Sequence, residues 1–265
     1  MTDWLEVCRA AGEDVRAALR RLPGRELREP VVGAGLGGDD TTAVDAAAED
    51  VVVERLTGTG EPFTLVSEEL GEKQFGDGGP WIVIDPIDGS NNAKRGIPHF
   101  ALSIAVAEGS TMGDVVLGYV LDLGSGEEWT ARRGEGAFLD GVRLGGERPK
   151  EEMEILSFEA TTTRSVAAQA AAMVDVAYRL RIMGSLALAL CQLAAGRLDG
   201  VCSLKAARSV DIAAAQLLVR ECGLAIDLFE TPPFGAAPLD VEGRSRVVAA
   251  ASPEGCARLA AALSQ

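Results

Sequence analysis

The sequence predicts a mixed α/β chain, α+β in class, with helices packed on two sheets. Three observations carry this. Apolar residues recur near period 3.6 over residues 4–22, after Thr42 and again towards the C-terminus. From residue 63 to 139 a series of short β-like runs is bounded by Gly, Pro or Asp. Beyond residue 146 strands and helices alternate, which suits sheets covered by helices and not a repeat or solenoid.

Taken in order, Trp4, Leu5, Val7, Cys8, Ala11, Val15, Ala18, Leu19 and Leu22 form the apolar face of a first helix, and Pro23-Gly24 ends it. The Gly-rich stretch Val32 to Asp40 reads as a loop. Thr41 or Thr42 caps the next helix, which carries Val44, Ala47, Ala48, Val51, Val52 and Leu56 and stops at Gly58. Strands are expected at 63–66, 81–85, 100–107, 115–121, 128–132 and 137–139. The charged connector Glu147 to Glu154 separates an N-terminal part, 1–146, from a C-terminal part, 147–265, fused in one unit. The second part predicts strands at 155–158, 178–182, 200–204, 224–228 and 246–250, and helices at 165–174, 184–195, 211–222 and 253–263. The helix at 184–195 has almost no polar face, so it belongs between layers.

The chain has 265 residues, enough for one large domain or two fused ones. Forty acidic residues against 25 basic give a net charge of −15. That argues against nucleic acid or an anionic membrane as partner, since both demand a basic face, and fits a protein that handles cations. The five cysteines, 8, 191, 202, 222 and 256, show no C-x-x-C spacing, so buried free thiols in a reducing cytoplasm are expected. The acidic start, Met1-Thr2-Asp3-Trp4-Leu5-Glu6, lacks the basic and apolar regions of a signal peptide. The most apolar helical run is too short to span a bilayer.

The strongest chemical signal is Trp81-Ile82-Val83-Ile84-Asp85-Pro86-Ile87-Asp88-Gly89-Ser90-Asn91-Asn92. A buried strand runs into Asp85, Pro86 and Gly89 force a turn, and Asp88 follows three residues later. Two carboxylates ~4 Å apart repel by about 4 kcal/mol at an effective dielectric of 20. A hard divalent cation such as Mg²⁺ removes that repulsion and takes carboxylate and carbonyl oxygens as ligands. The stretch Gly33-Ala34-Gly35-Leu36-Gly37-Gly38 formally matches G-x-G-x-x-G. It lacks the long preceding strand and immediate helix of a dinucleotide fingerprint, and Asp39-Asp40 would repel a pyrophosphate.

Five blocks in order resemble one family. They are Asp45 at a helix start, Ser67-Glu68-Glu69-Leu70-Gly71 after a strand, the D-P-I-D-G-S block, Arg181-Ile182-Met183-Gly184-Ser185-Leu186-Ala187-Leu188-Ala189-Leu190, and Ser209-Val210-Asp211-Ile212-Ala213-Ala214-Ala215 with Glu221-Cys222-Gly223. Together they are similar to the Mg²⁺-dependent, lithium-sensitive-type sugar phosphatases that include inositol monophosphatase and fructose-1,6-bisphosphatase. The resemblance covers almost the whole chain and implies a layered α-β-α-β-α sandwich and a phosphomonoesterase.

By matching residues, the resemblance implies Glu68, Asp85 and the Ile87 carbonyl as ligands of a first metal, and Asp85, Asp88 and Asp211 as ligands of a second. Two ions can clamp the attacking and leaving oxygens of an in-line displacement. Glu68 then also activates the attacking water, and the Ser90 hydroxyl, partnered by Asp45, orients it. The Gly89 and Ser90 amides, opening a helix, hold the phosphate. The Gly-rich stretch becomes a loop that closes over substrate, with Asp39 or Asp40 as ligand of a third metal. Mn²⁺ can replace Mg²⁺ in such a site. His99, the only histidine, is assigned to packing.

Val210 before Asp211, together with S-E-E-L-G and Gly96-Ile97-Pro98, looks most like the archaeal type acting on both fructose-1,6-bisphosphate and inositol-1-phosphate. Arg181, Lys205 and Arg208 are the bases expected to meet a second phosphate, with Gly184 and Ser185 as further substrate contacts. Ala93 stands where the family has an aromatic residue. The resemblance implies a small phosphorylated substrate and a homodimer. A 3′-phosphoadenosine-5′-phosphate or NADP phosphatase of the same superfamily is the alternative enzyme. An inactive metal- or phosphate-binding regulator is the alternative outside catalysis, and the presence of Asp45, Glu68, Asp85, Asp88, Ser90 and Asp211 together speaks against it.

Overall fold

The computed structural model describes residues 2–36, 40–230 and 233–264. The first helix, α1 (Trp4–Arg21), begins where the Asp3 carboxylate accepts the Leu5 N–H. The one-turn α2 (Arg25–Arg28) follows. Strands β1 (Val31–Ala34) and β2 (Asp40–Thr42) pair as an antiparallel hairpin, where the sequence suggested only a loop. Thr42 then caps α3 (Ala43–Thr57), with Asp45 reaching back to the Thr42 N–H in a capping box.

The large sheet comprises β3 (Phe63–Ser67), β4 (Gly71–Phe75), β5 (Trp81–Asp88), β6 (Ala101–Ala107), β7 (Val115–Asp122), β8 (Glu128–Arg132), β9 (Gly136–Leu139) and β10 (Val142–Arg143), with the short α4 (Ser90–Arg95) between β5 and β6. Its order is β10-β9-β8-β7-β6-β5-β3-β4, antiparallel except for the β3–β5 pair. β4 was not expected. Its exposed Glu72, Lys73 and Gln74 suit an edge strand and give no apolar alternation to read.

The small sheet is built from β11 (Met153–Glu159), β12 (Ala177–Arg181), β13 (Gly200–Ser203), β14 (Ala225–Leu228) and β15 (Val247–Ala250), in the order β12-β11-β13-β15-β14. The remaining helices are α5 (Thr163–Gln169), α6 (Leu186–Ala194), α7 (Ser209–Glu221) and α8 (Pro253–Leu263). The helix expected to run to residue 174 stops at Gln169 and tightens into a 3₁₀ turn.

Helices α1 and α3 cover the outer face of the large sheet, α6 and α7 lie between the sheets, and α8 covers the outer face of the small one. This is the α-β-α-β-α layering. Every α6 residue except Gln192 is buried, as its all-round apolar sequence requires. At about 1.5–3 kcal/mol for each buried leucine, Leu186, Leu188, Leu190 and Leu193 tie the two sheets through one shared core. The boundary expected at residue 146 falls between β10 and β11, the last strand of one sheet and the first of the other. No helix among the described residues is long and apolar enough to cross a membrane, and the five cysteines are free thiols.

The layering brings the end of β5, the loop after β3, and the N-termini of α4, α6 and α7 to one place. The β5–β6 register shifts between Asp85 and Asp88. Pro86 has no N–H to give the ladder, so the strand bulges there: Pro86 and Ile87 drop out of the pairing that Asp85 makes with Ser103 and Asp88 with Ala101.

Candidate active site

Three carboxylates meet where those elements converge. Glu68 follows β3, Asp85 is buried within β5, and Asp211 sits in the first turn of α7. One oxygen from each lies within 4.8 Å of the others. Asp85 Oδ1 also accepts the Ile87 N–H at 3.0 Å. Asp88, at the end of β5, turns one oxygen to the N-terminus of α6: its Oδ2 accepts the Ser185 hydroxyl and the Ala187 N–H, each at 2.6 Å.

Arg208, the residue before α7, inserts its guanidinium among these acids. Its Nη1 lies 2.5 Å from Glu68 Oε1 and its Nη2 3.1 Å from Asp211 Oδ1. Its backbone N–H donates to Asp211 Oδ2 at 2.7 Å.

The site is charged against its surroundings. Burial, then the neighbouring Asp211, raises the Glu68 carboxyl to about 8 even though Arg208 pulls it down. Burial and then Glu68, Asp88 and Asp211 push Asp85 well above the usual carboxylate range. Burial raises Asp88 to about 6, against the hydrogen bond from Ser185. Burial opposes the charge on Arg208, but Asp211, Glu68 and Asp85 hold it firmly protonated. A donor set made only of carboxylate oxygens, crowded enough to resist ionisation, fits a hard divalent cation. It offers no thiolate or imidazole for a softer one.

These residues line an open cleft of about 900 Å³. Gly89 takes φ +99° before the first residue of α4, and a β-carbon there would stand 2.9 Å from the Gly184 carbonyl. Only glycine fits there, and Gly89 and Ser90, at the start of α4, both line the cleft. The expected Ser90–Asp45 pair is not made. Ser90 Oγ donates to the Ile87 carbonyl at 3.1 Å, while Asp45 Oδ2 serves Thr42 in the α3 capping box. Asp45 Oδ1 is buried without a hydrogen-bond partner among the described residues. Both side chains still line the cleft.

The expected substrate contacts divide. Lys205, Arg208 and Gly184 line the cleft, as does Asp40; Asp39 lies outside the described residues. Arg181 does not line it. Its side chain is exposed at the end of β12 and donates to Leu180 O. Ser185 is buried, caps α6 and holds Asp88, so it supports a carboxylate instead of facing a ligand. The lining residues not picked out from sequence include Glu69, bonded to Thr41, and the bases Lys94 and Arg244. Their scarcity as bases in an acidic chain was the available signal for the last two. His99 is half-buried, and burial lowers the pKa of its ring.

The profile of the inositol monophosphatase family matches residues 4–265. The fructose-1,6-bisphosphatase/inositol-1-monophosphatase of Methanothermobacter thermautotrophicus is 34% identical over 231 residues, 83% of this chain and 82% of that protein. The Nus factor SuhB of Escherichia coli K12 is 37% identical over 208 residues, 75% of each chain. The crystal structure of the extragenic suppressor protein SuhB from Bartonella henselae superposes with a TM-score of 0.83 at 25% identity, covering 100% of this chain and 99% of that one.

Proposed function

The chain belongs to the inositol monophosphatase family and is a phosphoric monoester hydrolase of that metal-dependent class; on that premise we propose that it uses Mg²⁺ to hydrolyse phosphorylated sugars and polyols, with fructose-1,6-bisphosphate and inositol-1-phosphate both as substrates. The observation that carries this is the oxygen-only cluster of Glu68, Asp85 and Asp211 set beside the glycine-opened start of α4. Glu68, Asp85 and the Ile87 carbonyl hold one ion; Asp85, Asp88 and Asp211 hold a second. Bound there, the ions supply charge neutralisation for the transferring phosphoryl group and a more acidic water. Mn²⁺ satisfies the same oxygens. Asp40, with Asp39, offers ligands for a third ion.

The chain's own residues supply the rest. Glu68 Oε accepts the proton of the attacking water. The Gly89 and Ser90 amides bind the phosphate at the α4 N-terminus. The Ser90 hydroxyl turns from the Ile87 carbonyl to orient the water, with the unpartnered Asp45 Oδ1 as its acceptor. Lys205 and Arg208, with Lys94 and Arg244, give the cleft a basic wall against which a second phosphate docks.

Among the described residues no Phe, Tyr or Trp lines the cleft, which favours a sugar or polyol over the adenine of a 3′-phosphoadenosine-5′-phosphate, a base that calls for a stacking partner. The net charge of −15 favours a small-molecule substrate over a nucleic acid, whose phosphates demand a basic face, and a cytoplasmic location belongs to the same reading. A homodimer is part of the same reading. Comparing kcat/KM for fructose-1,6-bisphosphate, inositol-1-phosphate and 3′-phosphoadenosine-5′-phosphate tests it. The first two should exceed the third at least tenfold; preference for the nucleotide would replace the sugar-phosphate reading.

A further inference from the structure

Glu159 ends β11 beneath the cleft and has no part in the chemistry above. It is fully buried, and a buried carboxylate is tolerated only where donors converge on it. Three do. Its Oε2 accepts the Gly184 N–H at 2.8 Å. Its Oε1 accepts the Ser157 hydroxyl at 2.7 Å and, more weakly, the Met183 N–H at 3.4 Å.

Two of those donors belong to the turn that leads into α6. The turn is held from its other side as well, where Asn92 Nδ2 donates to the Met183 carbonyl and the His99 carbonyl, each at 2.7 Å. Gly184 takes φ +91°, and its carbonyl packs against Gly89. One residue further on, Ser185 caps α6 and donates to Asp88 Oδ2, beside the Ala187 N–H on the same oxygen. The start of α6 therefore fixes one oxygen of Asp88 and leaves the other to the cleft. On the β11 side, what holds the start of α6 is the carboxylate of Glu159.

We propose that Glu159 is a positioning residue for cation binding: through the Met183–Gly184 turn and Ser185 it sets where the Asp88 carboxylate stands. This rests on the reading that Asp88 is a metal ligand. The short contact, from the Gly184 N–H, is the one that requires an acceptor. Gln keeps an oxygen for it, the Ser157 hydroxyl can rotate to accept from the amide, and only the long 3.4 Å contact from the Met183 N–H is given up. Ala leaves both backbone N–H groups unpaired and the turn free to shift.

The test is Mn²⁺ binding to the substrate-free full-length chain, followed by electron paramagnetic resonance, for the wild type, Asp88→Asn, Glu159→Ala and Glu159→Gln. Outer residues that orient a ligand are worth about 10–100-fold in metal affinity. Glu159→Ala should weaken Mn²⁺ binding at least about tenfold, and Glu159→Gln should recover most of that loss. If Asp88→Asn binds Mn²⁺ as the wild type does, the ligand reading fails and takes the proposal with it. If Asp88→Asn weakens binding but Glu159→Ala does not, or if Gln is as damaging as Ala, the ligand reading stands and the positioning role is overturned. Should Glu159→Ala not fold by circular dichroism, Ser185→Ala cuts the next link. Weakened Mn²⁺ binding there supports the proposal, and unchanged binding overturns it.

Discussion

Arg208 Nη1 stands 2.5 Å from Glu68 Oε1, although Arg208 and Glu68 are held by different elements, the start of α7 and the end of β3. The guanidinium thus supplies positive charge to the same carboxylates that a divalent cation would share, and it keeps them in place before that cation arrives. Removing one partner of such a buried pair leaves the other charge uncompensated.

Arg208→Met should therefore lower the melting temperature of the metal-free protein, with Glu68, Asp85 and Asp211 left to repel one another. The rise in melting temperature on adding Mg²⁺ should be larger than for the wild type. Thermal unfolding in EDTA and in Mg²⁺ checks both; an unchanged metal-free melting temperature would mean the pair contributes nothing.

Asp211 plays two parts, accepting the Arg208 N–H as a helix cap and facing the carboxylate cluster. Losing the cap costs about 1 kcal/mol whatever the metal content. If Asp211 also binds metal, Asp211→Ala should lose most of the mass-action stabilisation that Mg²⁺ gives the wild type. Equal Mg²⁺-induced shifts in the two proteins would reduce Asp211 to a cap.

The buried acids give the metal-free protein an unusual pH dependence. Glu49, which accepts from Ser67 at the end of β3 just before Glu68, is raised by burial to about 7, Glu159 by burial to about 7 and Glu68 by burial to about 8. Unfolded glutamates titrate near 4.3. Between these values the folded chain holds protons that the unfolded chain has released, so this stabilisation is complete below about pH 4.3 and is lost as pH rises through 7 to 8. In EDTA the melting temperature should fall from about pH 5 to pH 8. Mg²⁺ should flatten the upper part of that fall, because the ion replaces the proton on Glu68. A melting temperature that rises over this range without metal would contradict the assignment.

For substrate choice, Lys205 and Arg181 make a matched pair, since one lines the cleft and the other does not. Lys205→Ala should raise KM for fructose-1,6-bisphosphate by about 10-fold or more, the worth of a charge-assisted hydrogen bond, and leave inositol-1-phosphate near the wild-type value. Arg181→Ala should change neither. Steady-state kinetics on both substrates separate the cases; equal effects of Lys205→Ala on both would remove it from a second-phosphate site.

Part of the cleft was legible because several residues that line it are neighbours in sequence. D-P-I-D-G-S carries both aspartates, the proline that bulges β5 and the glycine that opens α4 within six residues. Periodicity gave helices on two sheets, the five-layer order came from the family resemblance, and α6 was readable as an inner helix because it has no polar face. What stayed hidden depends on chain segments far apart meeting. Nothing local links Glu159 to Gly184, Ser185 to Asp88, or Arg208 to Glu68. Thr42-Ala43-Val44-Asp45 is itself a capping box, which engages Asp45 Oδ2 within its own helix and leaves only Oδ1 without a hydrogen-bond partner among the described residues. Arg181 lies at the end of an exposed edge strand, where a long cation is at home in solvent.

Turnover by Asp85→Asn addresses the centre of the account most directly, because Asp85 is the one carboxylate assigned to both ions and it is buried at the middle of the cluster. The substitution keeps the side chain's shape and relieves crowding, so the protein should fold as well as the wild type. Phosphate release from inositol-1-phosphate in saturating Mg²⁺ should nevertheless fall by about 10³-fold or more, the scale set by removing a main electrostatic stabiliser of the transition state. A folded Asp85→Asn protein that releases phosphate within a few-fold of the wild-type rate would contradict metal-dependent hydrolysis at this site.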